Sequence, residues 1–210
     1  MKTLLRTIAA ATGFAALGLQ YWLEVHLPRG PGLLASTINF FSYFTILANT
    51  GAAFAMLLPL IAPNSTAGRF LVAPSVRTAI AGYLMVVAAT YFFFLRFIGN
   101  DYGLERLADW LMHYVTPLLF MIDWMAFVPK GSVPWRMVAT SLLAPLAYAV
   151  WTLVHGAVAD WYPYPFVNMT SLGYQQGLEN MAGFVVVFAG IAFALVALDR
   201  ILGSVQQPRV

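Results

Sequence analysis

Residues Ser36–Ile61 read STINFFSYFTILANTGAAFAMLLPLI, a long apolar run without a charged side chain. A run of this length between the turn-forming stretches HLPRGPG and APNSTAGR is typical of a helix that crosses a membrane. A helix is expected because the hydrocarbon core offers no water to backbone polar groups. The run nevertheless contains Ser42, Thr45 and Asn49, and these polar side chains need an explanation.

The whole chain has the composition of a membrane protein. Hydrophobic residues make up 61% of its 210 residues and charged residues only 9%, against roughly 25% charged in a soluble domain. Six apolar segments predict an all-α polytopic membrane bundle, a single transmembrane domain over residues 1–210. Their approximate bounds are Leu4–Val25, Ser36–Ile61, Val76–Ile98, Ala108–Val128, Arg136–Gly156 and Tyr174–Ile201.

The distribution of lysine and arginine predicts the orientation of the bundle. Eight basic residues fall on one side and three on the other, so both termini are expected in the cytoplasm. The first group is Lys2, Arg6, Arg69, Arg77, Lys130, Arg136, Arg200 and Arg209, and the second is Arg29, Arg96 and Arg106. The first segment also resembles a signal peptide, but its apolar stretch exceeds a usual signal core, so we expect a retained helix.

Polar side chains recur at helical spacing within four of the segments. A helix turns about 100° per residue, so each set shares one face, which is expected to turn away from lipid. Serine, threonine and asparagine also commonly bridge membrane helices, so the pattern alone leaves both a site and plain helix packing open. The sets are Ser42, Thr45 and Asn49; Asp109, His113, Thr116 and Asp123; Ser141, Tyr148, Thr152 and His155; and Gln175, Gln176, Glu179 and Asn180.

Depth along the helices suggests where a site would form. Counted from the segment ends, Thr45, His113, His155 and Glu179 fall in the outer half of the bundle, where we expect them to converge. A histidine or carboxylate at such depth is a functional candidate by default. The sequence therefore predicts a polar site there, with Asp123 on its cytoplasmic side.

The composition and the candidate residues bear on several classes of function. The net charge of +3 comes from scattered basic residues, which argues against nucleic-acid binding. The absence of cysteine excludes disulfides, thiol catalysis and cysteine metal sites. A transporter or channel using Asp123, Glu179 and Asn49 is one alternative, although the sequence shows no inverted repeat. A metal or haem site at His113 and His155 is another, and a structural or assembly protein is a third.

Three stretches together resemble a known family: FSYFTILAN, WLMHYVTPLLFMIDWM and VHGAVADWYPYPFVN. Their order and spacing are similar to those of the androgen-induced and androgen-dependent TFPI-regulating membrane proteins and of bacterial six-helix relatives. Members of that superfamily are integral-membrane hydrolases that cleave fatty acid esters of hydroxy fatty acids. The resemblance implies a lipid-ester substrate, contact with membrane lipids, no cofactor or metal, and a place in a bacterial inner membrane.

The resemblance also implies site residues. The family's threonine nucleophile corresponds to Thr45 in YFT, and its histidine to His113, which precedes Pro117 and Asp123. A second family histidine corresponds to His155, ahead of the stretch WYPYPF. The expected pair for chemistry is therefore Thr45 and His113.

Ester hydrolysis by a threonine requires further groups around this pair. A threonine hydroxyl is a poor nucleophile, so His113 must accept its proton during attack and then protonate the leaving alcohol. The candidates for orienting His113 are Asp109, His155 and Glu179, and those for oxyanion donors are Ser42, Asn49 and Tyr91. Aromatic candidates for substrate binding are Phe44, Trp161, Tyr164 and Phe166. Water must reach the same site through a polar opening.

Overall fold

The computed structural model describes residues 1–26, 32–98 and 102–206. Over these ranges the regular elements are all helical and no strand occurs, which confirms the all-α prediction. Two 3₁₀ helices, Leu95–Phe97 and Pro165–Val167, and a π-helical turn, Leu111–Val115, separate some of the α-helices. The α-helices are α1 (Lys2–His26), α2 (Leu33–Phe41), α3 (Phe44–Ile61), α4 (Thr66–Val72), α5 (Pro74–Phe93), α6 (Leu104–Trp110), α7 (Thr116–Phe127), α8 (Arg136–Ser141), α9 (Leu143–Ala159) and α10 (Met169–Gln206).

Four helical stretches in the described ranges are long and apolar enough to cross a membrane. They are Phe44–Ile61, Pro74–Phe97, Arg136–Ala159 and Met169–Val205. These stretches match the second, third, fifth and sixth apolar segments of the sequence. The first segment forms α1, a helix of 25 residues that carries charged side chains near both ends. The fourth is divided between α6, the π-helical turn and α7.

The outer faces of these helices suit a lipid environment. On α9, Val150, Val154 and Val158 follow one another at helical spacing and are 61%, 55% and 84% exposed. A soluble protein rarely leaves such an apolar stripe uncovered. The stripe therefore supports placement of α9 in a membrane.

The second apolar segment forms two helices where a single one was expected. α2 ends at Phe41, Tyr43 has an extended backbone, and α3 begins at Phe44. Side chains from α9 hold the break: the Tyr148 hydroxyl donates to the Ser42 carbonyl oxygen at 3.0 Å, and the Trp151 indole donates to the Ser42 hydroxyl at 2.9 Å. The break places the N-terminus of α3 inside the bundle.

A buried ionic cluster joins α1, α5 and α7. Arg6 Nε donates to one carboxylate oxygen of Asp123 at 2.7 Å, and the Arg77 guanidinium donates to the other. These side chains are at most 4% exposed. Arg6 and Arg77 are thus buried as partners of Asp123, so their positions do not indicate a side of the membrane. The predicted orientation depends on the remaining basic residues. Of those, Arg29 and Arg209 lie outside the described residues.

Candidate active site

Thr45 lies in the first turn of α3, directly after the break at Ser42 and Tyr43. Its backbone N–H is too close to the helix start to find a carbonyl partner within α3. That N–H donates to the Tyr164 hydroxyl at 3.2 Å, and Thr45 Oγ1 lies 3.2 Å from the same hydroxyl. The side chain is 7% exposed. The break therefore places the buried Thr45 hydroxyl at the N-terminal end of α3.

His113 lies in the π-helical turn between α6 and α7 and is 5% exposed. Its Nδ1 is 2.9 Å from the carbonyl oxygen of Asp109. A carbonyl can only accept, so Nδ1 carries the proton and Nε2 is left as a proton acceptor. One carboxylate oxygen of Asp109 is 3.7 Å from Nδ1, and the imidazole stacks on the Tyr91 ring with centroids 4.1 Å apart. The Asp109 carbonyl and the Tyr91 ring together fix the orientation of the imidazole.

Thr45 and His113 line the same pocket. The pocket encloses about 800 Å³ of empty space, including the part open to the surface, and its lining mixes polar and apolar side chains. The polar members of the lining are Gln20, Glu24, Tyr43, Thr45, Tyr91, Asp109, His113 and Tyr164. A hydroxyl, an imidazole and space for water thus share one polar chamber.

A second, apolar cavity lies on the other side of Thr45. It comprises about 640 Å³ of empty space between α3, α5, α9 and α10, including the part open to the surface. Three residues, Thr45, Leu95 and Tyr164, line both spaces. Thr45 therefore stands where an apolar chamber meets a polar one. The aromatic residues of the apolar lining are Phe44, Tyr148, Tyr164, Phe166, Phe184 and Phe188.

Asn49 connects the two halves of this site. The side chain is fully buried, and Nδ2 donates to the carbonyl oxygens of Thr45 at 2.9 Å and Met112 at 3.3 Å. Met112 precedes His113 in the π-helical turn. The amide was predicted as an oxyanion donor, but its N–H groups are directed to these two carbonyls. Its geometry suits holding α3 against the turn that carries His113.

Ser42 and Tyr91, the other predicted oxyanion donors, differ in position. The Ser42 hydroxyl donates to the Ile38 carbonyl oxygen at 2.8 Å and accepts from Trp151, and Ser42 lines neither chamber. Tyr91 lines the polar chamber and lies face to face with the His113 ring. The helical spacing of Ser42 and Thr45 did not reveal that the chain turns between them.

His155 and Glu179 are not brought into the polar chamber. The His155 ring stacks on Trp151 and contacts the edge of Trp161, with centroids 5.5 and 5.6 Å apart. Glu179 is exposed and accepts a hydrogen bond from Gln175 at 3.1 Å. Of the three residues predicted to orient His113, Asp109 is the one that the structure places beside it.

The predicted substrate-binding aromatics lie on two sides of Thr45. Phe44, Tyr164 and Phe166 line the apolar cavity, whereas Trp161 packs against Tyr43 at the polar chamber, with centroids 5.5 Å apart. The contact between Tyr164 and Thr45 went unpredicted. Tyr164 was expected to bind substrate, and the stretch WYPYPF gave no sign that its hydroxyl would meet Thr45.

Metal binding finds no support in the described part of the chain. No group of three histidine, aspartate, glutamate or cysteine side chains there is placed to hold an ion. Comparison of the chain with protein-family models, with curated proteins and with solved structures finds no match.

Proposed function

We propose that the protein is a membrane-embedded hydrolase of lipid esters, with Thr45 as nucleophile and His113 as base. The observation that carries the proposal is the position of Thr45 at the junction of an apolar cavity and a polar chamber that also contains His113. A lipid ester has the same division, an apolar acyl chain and a carbonyl that must meet water. The resemblance in sequence adds the substrate class, fatty acid esters of hydroxy fatty acids.

The reaction follows from the groups at the junction. Thr45 Oγ1 attacks the ester carbonyl carbon while its proton passes to His113 Nε2. The imidazolium that forms is stabilised by the Asp109 carboxylate near Nδ1. The tetrahedral intermediate then expels the alcohol, which takes the proton from His113, and water from the polar chamber repeats the sequence to release the acid.

The two chambers hold different parts of the substrate. The acyl chain lies in the apolar cavity among Phe44, Phe184 and Phe188, which a longer chain fills and contacts more completely. The alcohol part faces the polar chamber and the incoming water. A long acyl chain is therefore preferred.

We further propose six crossings with both termini in the cytoplasm of a bacterial inner membrane. Beyond the four apolar stretches, α1 supplies one crossing, since 25 residues span about 37 Å. The path from α6 through the π-helical turn to α7 supplies the other. Lys2, Arg69 and Arg136 support the orientation, because all three are exposed and the six-crossing order would put them on the side of the N-terminus.

The test uses the full chain purified in detergent. Wild type is treated with a fluorophosphonate probe and, separately, with the palmitoyl ester of a hydroxystearic acid. We expect both labelling and hydrolysis in wild type, and loss of both in Thr45→Ala and His113→Ala. Thr50→Ala is the matched control, a half-buried threonine of the same helix that lines neither chamber. Full activity in either site variant would sink the assignment.

A negative result would also be informative. If folded wild type neither labels nor hydrolyses the ester, the hydrolase proposal fails. Proton or solute flux in liposomes made with the same protein would then favour the transporter alternative, of whose three residues Asp123 and Asn49 are buried and Glu179 is exposed.

A further inference from the structure

Tyr164 is the one aromatic side chain whose hydroxyl touches the proposed nucleophile among the described residues. Its oxygen is 3.2 Å from both the backbone nitrogen and the hydroxyl oxygen of Thr45. Its ring lines the polar chamber and the apolar cavity at once. A substrate carbonyl bonded to Thr45 Oγ1 must therefore lie next to this phenol.

The phenol is held firmly in this position. The Tyr164 ring stacks on Phe166, with centroids 5.1 Å apart, and meets Tyr43 edge to face. Phe166 in turn stacks on Phe184 of α10, and Asn180 donates to the Phe166 carbonyl oxygen at 2.8 Å. A donor fixed by its surroundings loses little free energy to reorganisation when charge develops beside it.

The hydroxyl proton of Tyr164 is available to donate a hydrogen bond at the site. The phenol oxygen accepts from the Thr45 N–H, so its own O–H proton points elsewhere. That proton can bond Thr45 Oγ1, 3.2 Å away, with the threonine oxygen as acceptor. The competing donors are occupied: the Asn49 amide bonds two carbonyls, and the Ser42 hydroxyl bonds Ile38.

We propose that Tyr164 is a catalytic residue that donates its phenol O–H to the oxyanion of the tetrahedral intermediate. When Thr45 Oγ1 bonds the carbonyl carbon, the carbonyl π pair moves onto oxygen, only two covalent bonds from Oγ1. The Tyr164 O–H then turns from Oγ1 to that oxygen, and the Thr45 N–H is released to donate beside it. No proton leaves Tyr164, and the hydrogen bond returns to Oγ1 when the ester bond breaks.

Two further observations agree with this role. The N-terminus of a helix favours negative charge near it, and the oxyanion would form at the N-terminus of α3. Burial raises the pKa of Tyr164, so the phenol keeps its proton and stays a donor. Because the inference rests on the proposed hydrolysis, its test must separate the two.

The test compares Tyr164→Phe with wild type and with Tyr83→Phe. Tyr83 is a matched control, because its hydroxyl donates to the Ser141 carbonyl oxygen at 2.6 Å and it lines neither chamber. We expect kcat of Tyr164→Phe to fall roughly 100- to 1,000-fold with KM changed less than about twofold. Tyr83→Phe should keep the wild-type kcat.

A second readout separates catalysis from support of the fold. A trifluoromethyl ketone of the acyl chain forms a tetrahedral adduct with the nucleophile, whereas an ether analogue only occupies the site. Tyr164→Phe should bind the ketone more weakly by a factor like that in kcat, and bind the ether as wild type does. Equal losses for both ligands, or an unchanged kcat, would overturn the inference while the hydrolase stands. An inactive, unlabelled wild type would overturn both.

Discussion

Nδ2 of Asn49 lies 3.3 Å from the carbonyl oxygen of Met112, and the same nitrogen lies 2.9 Å from the carbonyl oxygen of Thr45. One amide thereby fixes the start of α3 against the π-helical turn that carries His113. A π-helical turn inserts a residue and widens the helix, and such turns often occur at functional sites. The bridge thus helps to set the relative position of the Thr45 hydroxyl and the His113 imidazole.

Replacing the bridge should disturb both stability and chemistry. Asn49→Ala removes the side-chain donor to the buried Met112 carbonyl oxygen, which costs about 1–3 kcal/mol of unfolding free energy, whereas the Thr45 carbonyl keeps the backbone N–H of residue 49 as its helical partner. We expect a lower thermal transition in detergent and a fall in kcat for ester hydrolysis. Asn64→Ala, at an exposed position between α3 and α4, is the control. A stable Asn49→Ala with normal kcat would show that the bridge is dispensable.

The carboxylate of Asp109 should contribute less than the backbone. The Asp109 carbonyl sets the tautomer of His113 and survives substitution, whereas the carboxylate at 3.7 Å only stabilises the charged ring. We therefore expect Asp109→Asn to lower kcat roughly 10- to 100-fold, with KM little changed. Steady-state hydrolysis of the hydroxystearate ester measures both. A loss as complete as that of His113→Ala would place Asp109 in direct contact with the substrate.

The apolar cavity should select for acyl length. Ala149→Phe places a ring in the cavity, so long acyl esters lose binding space while short ones still fit. We expect the ratio of kcat/KM for palmitoyl over butyryl esters to fall at least tenfold. Val150→Phe is the neighbouring control, since Val150 is 61% exposed on the outer face of α9. If the two variants change the ratio equally, the acyl chain lies elsewhere.

The ionic cluster should respond asymmetrically to substitution. Asp123→Leu leaves two buried guanidinium groups without their carboxylate, and breaking such a buried pair typically costs about 3–5 kcal/mol. Arg6→Met leaves the Arg77–Asp123 pair intact and neutral overall, so it should cost much less. Thermal unfolding followed by intrinsic tryptophan fluorescence compares the two variants. Equal destabilisation would mean that Arg6 matters as much as the carboxylate.

The helical architecture was accessible from sequence because long apolar runs have few alternatives in lipid. The spacing of Asp109 and His113, one helical turn apart, placed both on one face, and Asp109 was one of three candidates to orient the imidazole. The break at Tyr43 was not predictable from periodicity, because partners on the distant α9 hold it. Glu179 was expected inside the bundle, yet the start of α10 leaves it exposed, since the depth of a residue along a helix does not determine which way it faces.

Tyr164 illustrates what the sequence leaves undetermined at the site. Two Tyr-Pro pairs stand in succession, and nothing in their composition distinguishes Tyr162 from Tyr164. The distinction comes from the stacking of Phe166 on α10, which directs the Tyr164 hydroxyl to Thr45. Contacts between segments far apart in the chain determine the site.

The ionic cluster of Arg6, Arg77 and Asp123 also affects the order in which the helices can pack during biosynthesis. Arg6 and Asp123 are separated by 117 positions, and Arg77 and Asp123 by 46. At about 5–20 residues per second, the ribosome completes Asp123 roughly 6 to 23 s after Arg6 and roughly 2 to 9 s after Arg77. Until Asp123 is made, Arg6 and then Arg77 lack their carboxylate partner in the nascent chain, so the first helices reach their final packing only after α7 emerges. The N-terminal helix of this bundle is therefore synthesised first but reaches its final packing late.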